Sequence, residues 1–310
     1  MIARFTRFML FLQFASVAVL TLWLMQLNWV SSFAVAVLIS VILVTLPRSS
    51  IILSNFLLSQ ALRPLNLAGK KISVRSKAKL LLQEFYWSSV CWFWVLPFAV
   101  FSKRTISGDE GLPVLLIHGY GANSGFWHHT SDLLRRSGSS HMAIELEPLL
   151  ADIDDYAHLI NTAVEALCAA SGKEKVIVVA HSMGGLAARA YLRKFGSDRI
   201  ARVITLGTPH YGSTLANFAM GTNAMQMRWS DQSDSQSWLA ALAQTETPAI
   251  RELFVSIYSR HDNIISPQES CHLPGATNIA VDLVGHVALG FDKQVLEMVM
   301  REITAARQNK

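Results

Sequence analysis

Hydrophobic spacing follows two different rules along this chain. From Phe8 to Leu46 there is no Asp, Glu, Lys or Arg, and apolar residues fall on every helical face. One helix of that length would run about 58 Å at 1.5 Å per residue, against a hydrocarbon core of about 30 Å. Two membrane spans fit better, roughly Phe8–Met25 and Trp29–Leu46. Gln26 and Asn28 mark the hairpin between them, and Trp29 suits a membrane interface. A cleaved signal peptide behind Arg4 and Arg7 is the competing reading. The apolar run exceeds the usual h-region of about 7–15 residues, and no A-x-A site closes it. A third apolar stretch, Phe85–Phe101, is rich in aromatics, broken by Pro97 and bounded by Glu84 and Lys103-Arg104. It is short for a crossing and reads as a helix lying in the interface, with a third span as the alternative.

From Leu112 the pattern changes to short apolar runs alternating with amphipathic stretches. The runs Val114–His118, His141–Glu145, Val176–His181, Ile200–Leu206, Leu253–Ser259 and Thr277–Val281 read as buried strands. Ser124–Arg136, Ile153–Ala170, Met183–Phe195 and Phe291–Arg307 read as helices. Such alternation predicts an α/β fold, a mostly parallel sheet with helices on both faces. The rhythm breaks between Tyr211 and about Pro248, where Met220, Met225, Met227, Trp229 and Trp238 sit among Ser, Gln and Asn. That composition suggests a small inserted cap. The organisation is then a hairpin over 1–47, a basic linker and aromatic helix over 48–111, and a catalytic domain over 112–310.

Charge orients the hairpin. Arg48, Arg63, Lys70, Lys71, Arg75, Lys77 and Lys79 follow the second span with no acidic residue among them. Positive flanks stay inside, so both ends and the catalytic domain are expected in the cytoplasm of a bacterial inner-membrane, multi-pass protein. The basic run suits anionic lipid heads or a solvated linker, and no nucleic-acid-binding motif accompanies it. Cys91, Cys168 and Cys271 show no metal spacing and read as buried thiols.

The stretch Val178–Leu192, VVAHSMGGLAARAYL, places one serine where a strand ends and a helix begins. A serine hydroxyl is a weak nucleophile unless a base takes its proton. A sharp strand-to-helix turn exposes it and requires small neighbours two residues away, here Ala180 and Gly184. The helix starting at Met183 aims its N–H groups at the same point. His-Gly at the end of an earlier strand sets up an oxyanion hole from the N–H groups of Tyr120 and Met183. Asp262 follows a strand, and His286 lies between the last strand and the last helix. Ser182, Asp262 and His286 thus fall in the chain order that a strand-elbow triad uses. His118 and His181 read as loop support. His210 and His261 are the competing bases, and Asp282 and Asp292 the competing acids.

The blocks His118-Gly119-Tyr120-Gly121, Ala180 to Gly185, Leu206 to Ser213 and Gly285-His286-Val287 resemble those of bacterial triacylglycerol lipases and esterases of the α/β-hydrolase superfamily. The elbow departs from G-x-S-x-G by one methyl group at Ala180, as in small lipases that begin it with alanine. The resemblance covers about Leu112 to Arg307 and leaves out the hairpin. It implies ester hydrolysis through an acyl-enzyme, with Ser182, Asp262 and His286 as triad, Tyr120 and Met183 as oxyanion donors, and no cofactor. Some such lipases hold a structural calcium ion, for which no site maps here. With a membrane anchor, the expected partners are a lipophilic ester and membrane lipid, and not nucleic acid. An acyltransferase or thioesterase on the same triad, or a non-catalytic membrane adaptor, are the alternatives.

Overall fold

The computed structural model describes residues 1–62, 72–104, 109–229 and 236–308. Of the basic run, Arg63, Lys70 and Lys71 lie outside these residues, as do 230–235 of the expected cap. Seven strands form one sheet: β1 (Lys103–Arg104), β2 (Val114–Ile117), β3 (His141–Ile144), β4 (Val176–His181), β5 (Ile200–Leu206), β6 (Phe254–Ser259) and β7 (Thr277–Val281). Their spatial order is β1-β3-β2-β4-β5-β6-β7, parallel throughout except for β1 against β3. Central β2 and β4 are buried at every position, because helices cover both faces. Their near-continuous Val, Leu and Ile runs follow from that.

The helices are α1 (Ile2–Gln26), α2 (Phe33–Ala61), α3 (Val74–Val90), the single turn α4 (Leu96–Phe98), α5 (His128–Arg136), α6 (Ile153–Ser171), α7 (Met183–Phe195), α8 (Thr222–Gln226), α9 (Trp238–Gln244), α10 (Pro248–Glu252) and α11 (Lys293–Gln308). One apolar layer joins α6 and α7 to the sheet through Ile160, Val164, Leu186 and Tyr191. The other packs Leu134, Val295, Val299 and Ile303 on the opposite face. Asp152 caps α6 by accepting from the N–H of Asp154 at 2.8 Å, and Gly172 ends it in the left-handed region at φ 67°.

The N-terminal helices differ from their sequence limits. Both α1 and α2 are long and apolar enough to cross a membrane, and Phe11, Phe14, Val19 and Leu22 are exposed on α1. They pair with each other, and Thr21 donates to Ser40 at 3.1 Å. But α2 does not stop near Leu46. It runs through Pro47 to Ala61, because its second half is held by the sheet domain: Ser266 donates to the Ser59 carbonyl at 2.9 Å. A proline inside a helix removes one backbone bond, and these tertiary contacts offset it.

The aromatic stretch is likewise not a separate helix. It continues α3 through a π-helical turn, Cys91–Val95, into α4. Cys91, Val95 and Leu96 belong to the second apolar layer, and Trp87 stacks on Phe291 with ring centroids 4.8 Å apart. The sheet also begins before Leu112, since β1 lies in the stretch assigned to the linker. A two-residue edge strand has no period to read.

Candidate active site

Ser182 stands between β4 and α7 at φ 53°, ψ −127°. A non-glycine residue there is strained, at a cost on the order of 1–3 kcal/mol, so its surroundings must hold it. The Ser182 N–H donates to the Leu206 carbonyl at 2.8 Å, and Thr208 Oγ1 donates to the Ser182 carbonyl at 2.9 Å. Space around the turn is nil. A Cβ at Gly184 would meet the Ile117 carbonyl oxygen at 2.5 Å, and one at Gly119 the Ser182 Cβ at 2.8 Å. These glycines are therefore required by close approach, whereas the methyl of Ala180 is accommodated in the buried strand.

His286 Nδ1 lies 2.8 Å from Asp262 Oδ2, with both residues buried. The other Asp262 oxygen accepts the N–H groups of Ile264 and Ile265 at 2.8 Å each. The carboxylate is thus fully engaged, and the His286 backbone is tied to Asn263 Oδ1 at 2.9 Å. Burial by itself pushes the His286 imidazole down. The Asp262 charge and hydrogen bond, helped by Glu84, outweigh it and hold His286 above the usual histidine value.

Ser182, His286 and Tyr120 line one cavity of about 230 Å³, together with Phe126, His181 and Ile264. Met183, next to Ser182, is the first residue of α7, where backbone N–H groups lack intrahelical partners. The remaining wall comes from elsewhere: Arg48 on α2 and Ser88, Cys91, Trp92 and Leu96 on the α3–α4 rod.

The competing residues are engaged otherwise. His118 Nδ1 pairs with the Gly119 carbonyl at 2.9 Å, and its Nε2 accepts the Leu146 N–H at 3.1 Å, so it orders the loop. His181 stacks on Phe126 and meets the His286 carbonyl through Nε2 at 3.1 Å; burial holds it neutral. His210 sits against Thr205 and the edge of Phe254, also held neutral first by burial and then by Arg189. His261 accepts the Leu283 N–H at 3.2 Å. Asp282 pairs with Arg260 at the surface, and Asp292 caps α11 through Gln294 and Val295.

The segment 211–248, the expected cap, packs in part on the domain core. Met227 and Leu239 are part of the α6–α7 core, and Met225 is exposed. The segment is fastened by the buried pair of Arg189 Nε and Glu246 Oε1 at 2.5 Å, and by Trp238 donating to Asp154 at 3.0 Å. None of its described residues lines the cavity. Of its Met and Trp residues, Met227 and Trp238 pack on the α6–α7 side, whereas Met220 and Met225 are exposed. The missed residue is Glu84. Its carboxylate is buried and accepts the N–H groups of Val287 and Ala288 at 3.0 Å each, directly after His286. Burial raises its pKa, and those two donors oppose the rise. A Cβ on Gly285 would lie 2.3 Å from Glu84 Oε2. The sequence signal was a lone acid at the edge of an apolar run, preceding a glycine-histidine pair by some two hundred positions.

Residues 113–267 match the family model described as the alpha/beta hydrolase fold. A triacylglycerol lipase of Pseudarthrobacter phenanthrenivorans is 31% identical over 114 residues, 34% of this chain and 35% of that protein. One of Burkholderia plantarii is 31% identical over 114 residues, covering 32% of its length. The chain thus spans about a third of the length of these curated relatives. Among solved structures, the mature Bacillus licheniformis lipase BlEst2 superposes with a TM-score of 0.56 at 19% identity, covering 66% of this chain and 97% of that one. Aspergillus fumigatus lipase B gives 0.55 at 16% identity, covering 66% and 56%. These superpositions carry the fold. With half of its length matched by the family model and a parallel sheet bearing a serine at the β4–α7 elbow, the chain belongs to the alpha/beta hydrolase fold family.

Proposed function

We propose that the protein is a membrane-anchored serine hydrolase that cleaves carboxylic esters of lipophilic molecules. The observation that carries this reading is the 2.8 Å Asp262–His286 pair opening into the same cavity as the strained Ser182. In this reading His286, in its neutral form, takes the Ser182 proton as Oγ attacks the ester carbonyl carbon. The tetrahedral oxyanion is met by the N–H groups of Tyr120 and Met183, each worth about 3 kcal/mol in comparable sites. Collapse breaks the ester C–O bond, and imidazolium gives its proton to the departing alcohol. Water, deprotonated by His286, then adds to the acyl-enzyme and releases the acid and Ser182. The lipase and esterase relatives support the ester as substrate.

The exposed apolar faces of α1 and α2, with Trp94 and Phe98 exposed nearby, support insertion of the hairpin into a bilayer. The α3–α4 rod is in contact with the sheet domain from Gln83, which donates to Asp292 at 3.1 Å, to Leu96. A helix so bound does not cross the membrane by itself, which supports both chain ends on the side chosen by the basic residues, the cytoplasm. Fluorophosphonate labelling tests the hydrolase reading: the wild type labels, whereas Ser182→Ala and His286→Ala do not. Labelling of Ser182→Ala equal to wild type would overturn it. Periplasm-only reporters fused after Lys79 and Arg307 test the topology, and both should stay silent.

A further inference from the structure

We propose that Arg48 receives a negatively charged group of the substrate, so that the preferred substrate is an anionic amphiphilic ester. This rests on the serine-hydrolase reading of the cavity and names what that cavity selects. Arg48 lies on α2, in the hairpin half of the molecule, yet its side chain lines the same cavity as Ser182 and His286. Its guanidinium is only partly used. One terminal nitrogen donates to the Ser88 carbonyl, the carbon centre stands 4.9 Å over the Trp92 ring, and Nε is buried without an acceptor.

No carboxylate among the described residues pairs with it. The two buried carboxylates nearest the cavity are committed elsewhere, Asp262 to His286 and to two N–H groups, and Glu84 to Val287 and Ala288. A cation withdrawn from water without a counter-charge loses solvation that nothing within the protein restores. A planar guanidinium with free N–H groups matches the oxygen pairs of a phosphate or a carboxylate.

The rest of the lining gives the amphiphile its other half. Trp92, Leu96, Phe126, Ile264 and Val287 are apolar, and about 230 Å³ is less than the about 300–1,000 Å³ usual for an enclosed small ligand. Only the reacting end of a lipid fits. The charged group reaches Arg48 and the ester reaches Ser182, while the remaining chain stays outside, beside the apolar hairpin.

The test uses the full-length protein in detergent micelles and three substrates with one acyl chain: a monoacylglycerol, its 3-phosphate, and the matching acyl ester of glyceric acid. The readout is the ratio of kcat/KM for each anionic ester to that for the neutral one, which is independent of the folded fraction. The wild type should favour an anionic ester at least tenfold. Arg48→Gln should lower that ratio at least tenfold, and Arg48→Lys should keep most of it. The favoured anionic arm identifies phosphate or carboxylate. A wild type without anionic preference, or an Arg48→Gln ratio equal to wild type, overturns the assignment while fluorophosphonate labelling leaves the hydrolase reading standing. Loss of labelling in the wild type removes both.

Discussion

The cavity has a floor and a wall of different origin. The floor is made by strand ends of the sheet: Ser182 after β4, Asp262 after β6 and His286 after β7. The wall is made by helices that precede the sheet in the chain, with Arg48 on α2 and Trp92 and Leu96 on the α3–α4 rod. The floor holds Ser182 in a strained conformation and Asp262 and His286 in bonded, buried positions. The wall holds apolar surface and Arg48, which pairs with no carboxylate among the described residues. Glu84 is where the two regions meet, since it belongs to the wall and grips the backbone of the floor just beyond His286. Glu84 thereby joins the α3–α4 rod to the loop that carries His286.

The largest break in this comparison comes from the floor. Ser182→Ala and His286→Ala should each lower kcat on the order of a millionfold, with circular dichroism unchanged; His210→Ala should not. The reverse order between the two histidines would reassign the base. Asp262→Asn should cost about ten-thousandfold, since the imidazole loses both its orientation and its charge partner.

The pH profile sharpens the same point. His286 must be neutral to act as base, and Asp262 holds its pKa above the ordinary value of about 6.5. The acid limb of kcat/KM should lie above that pH and move down in Asp262→Asn. Stability carries the opposite sign. The Asp262–imidazolium pair contributes fully below the unfolded pKa and is lost as pH rises through the raised folded one. Melting temperature at fixed ionic strength should register this loss over the window in which activity appears.

Glu84→Ala tests the junction. It leaves two N–H groups without acceptors, at about 1–3 kcal/mol each where they are buried, and frees the loop carrying His286. Misplacement of a catalytic group by about 1 Å costs on the order of a hundredfold, so kcat should fall by ten- to a hundredfold. Denaturant titration should show the accompanying loss of stability, and the acid limb should move down because Glu84 also supports the His286 charge. An unchanged kcat would separate wall from floor. The smallest effect belongs to Met225→Ser. Its side chain is exposed and outside the cavity, so long- and short-chain ester hydrolysis should stay within about twofold of wild type.

Much of the floor was legible because its information is local. Strand, elbow and helix around Ser182 are contiguous, and small residues at Ala180, Gly184 and Gly185 announce a tight turn in the sequence itself. The limits of β4, β5, β7 and α7 coincide with the hydrophobic runs, since each is buried over its whole length or ends at a glycine-bearing loop. The sequence also set the apolar character of α1 and α2. It placed the end of α1 within one residue, at Met25 against Gln26, and did not determine where α2 stops. Beyond Pro47, α2 is tied to the sheet domain by the bond from Ser266 to the Ser59 carbonyl, and no residue near Pro47 encodes that partner. The same reason hid Glu84 and Arg48. One resembled a boundary of an apolar stretch and the other a positive flank. Their places beside His286 and in the cavity arise from packing α2 and the α3–α4 rod on the sheet domain, and long-range docking of this kind leaves no period or spacing in the chain. Met227 shows the converse: composition placed it in an inserted cap, and only its burial against α6 and α7 made it core.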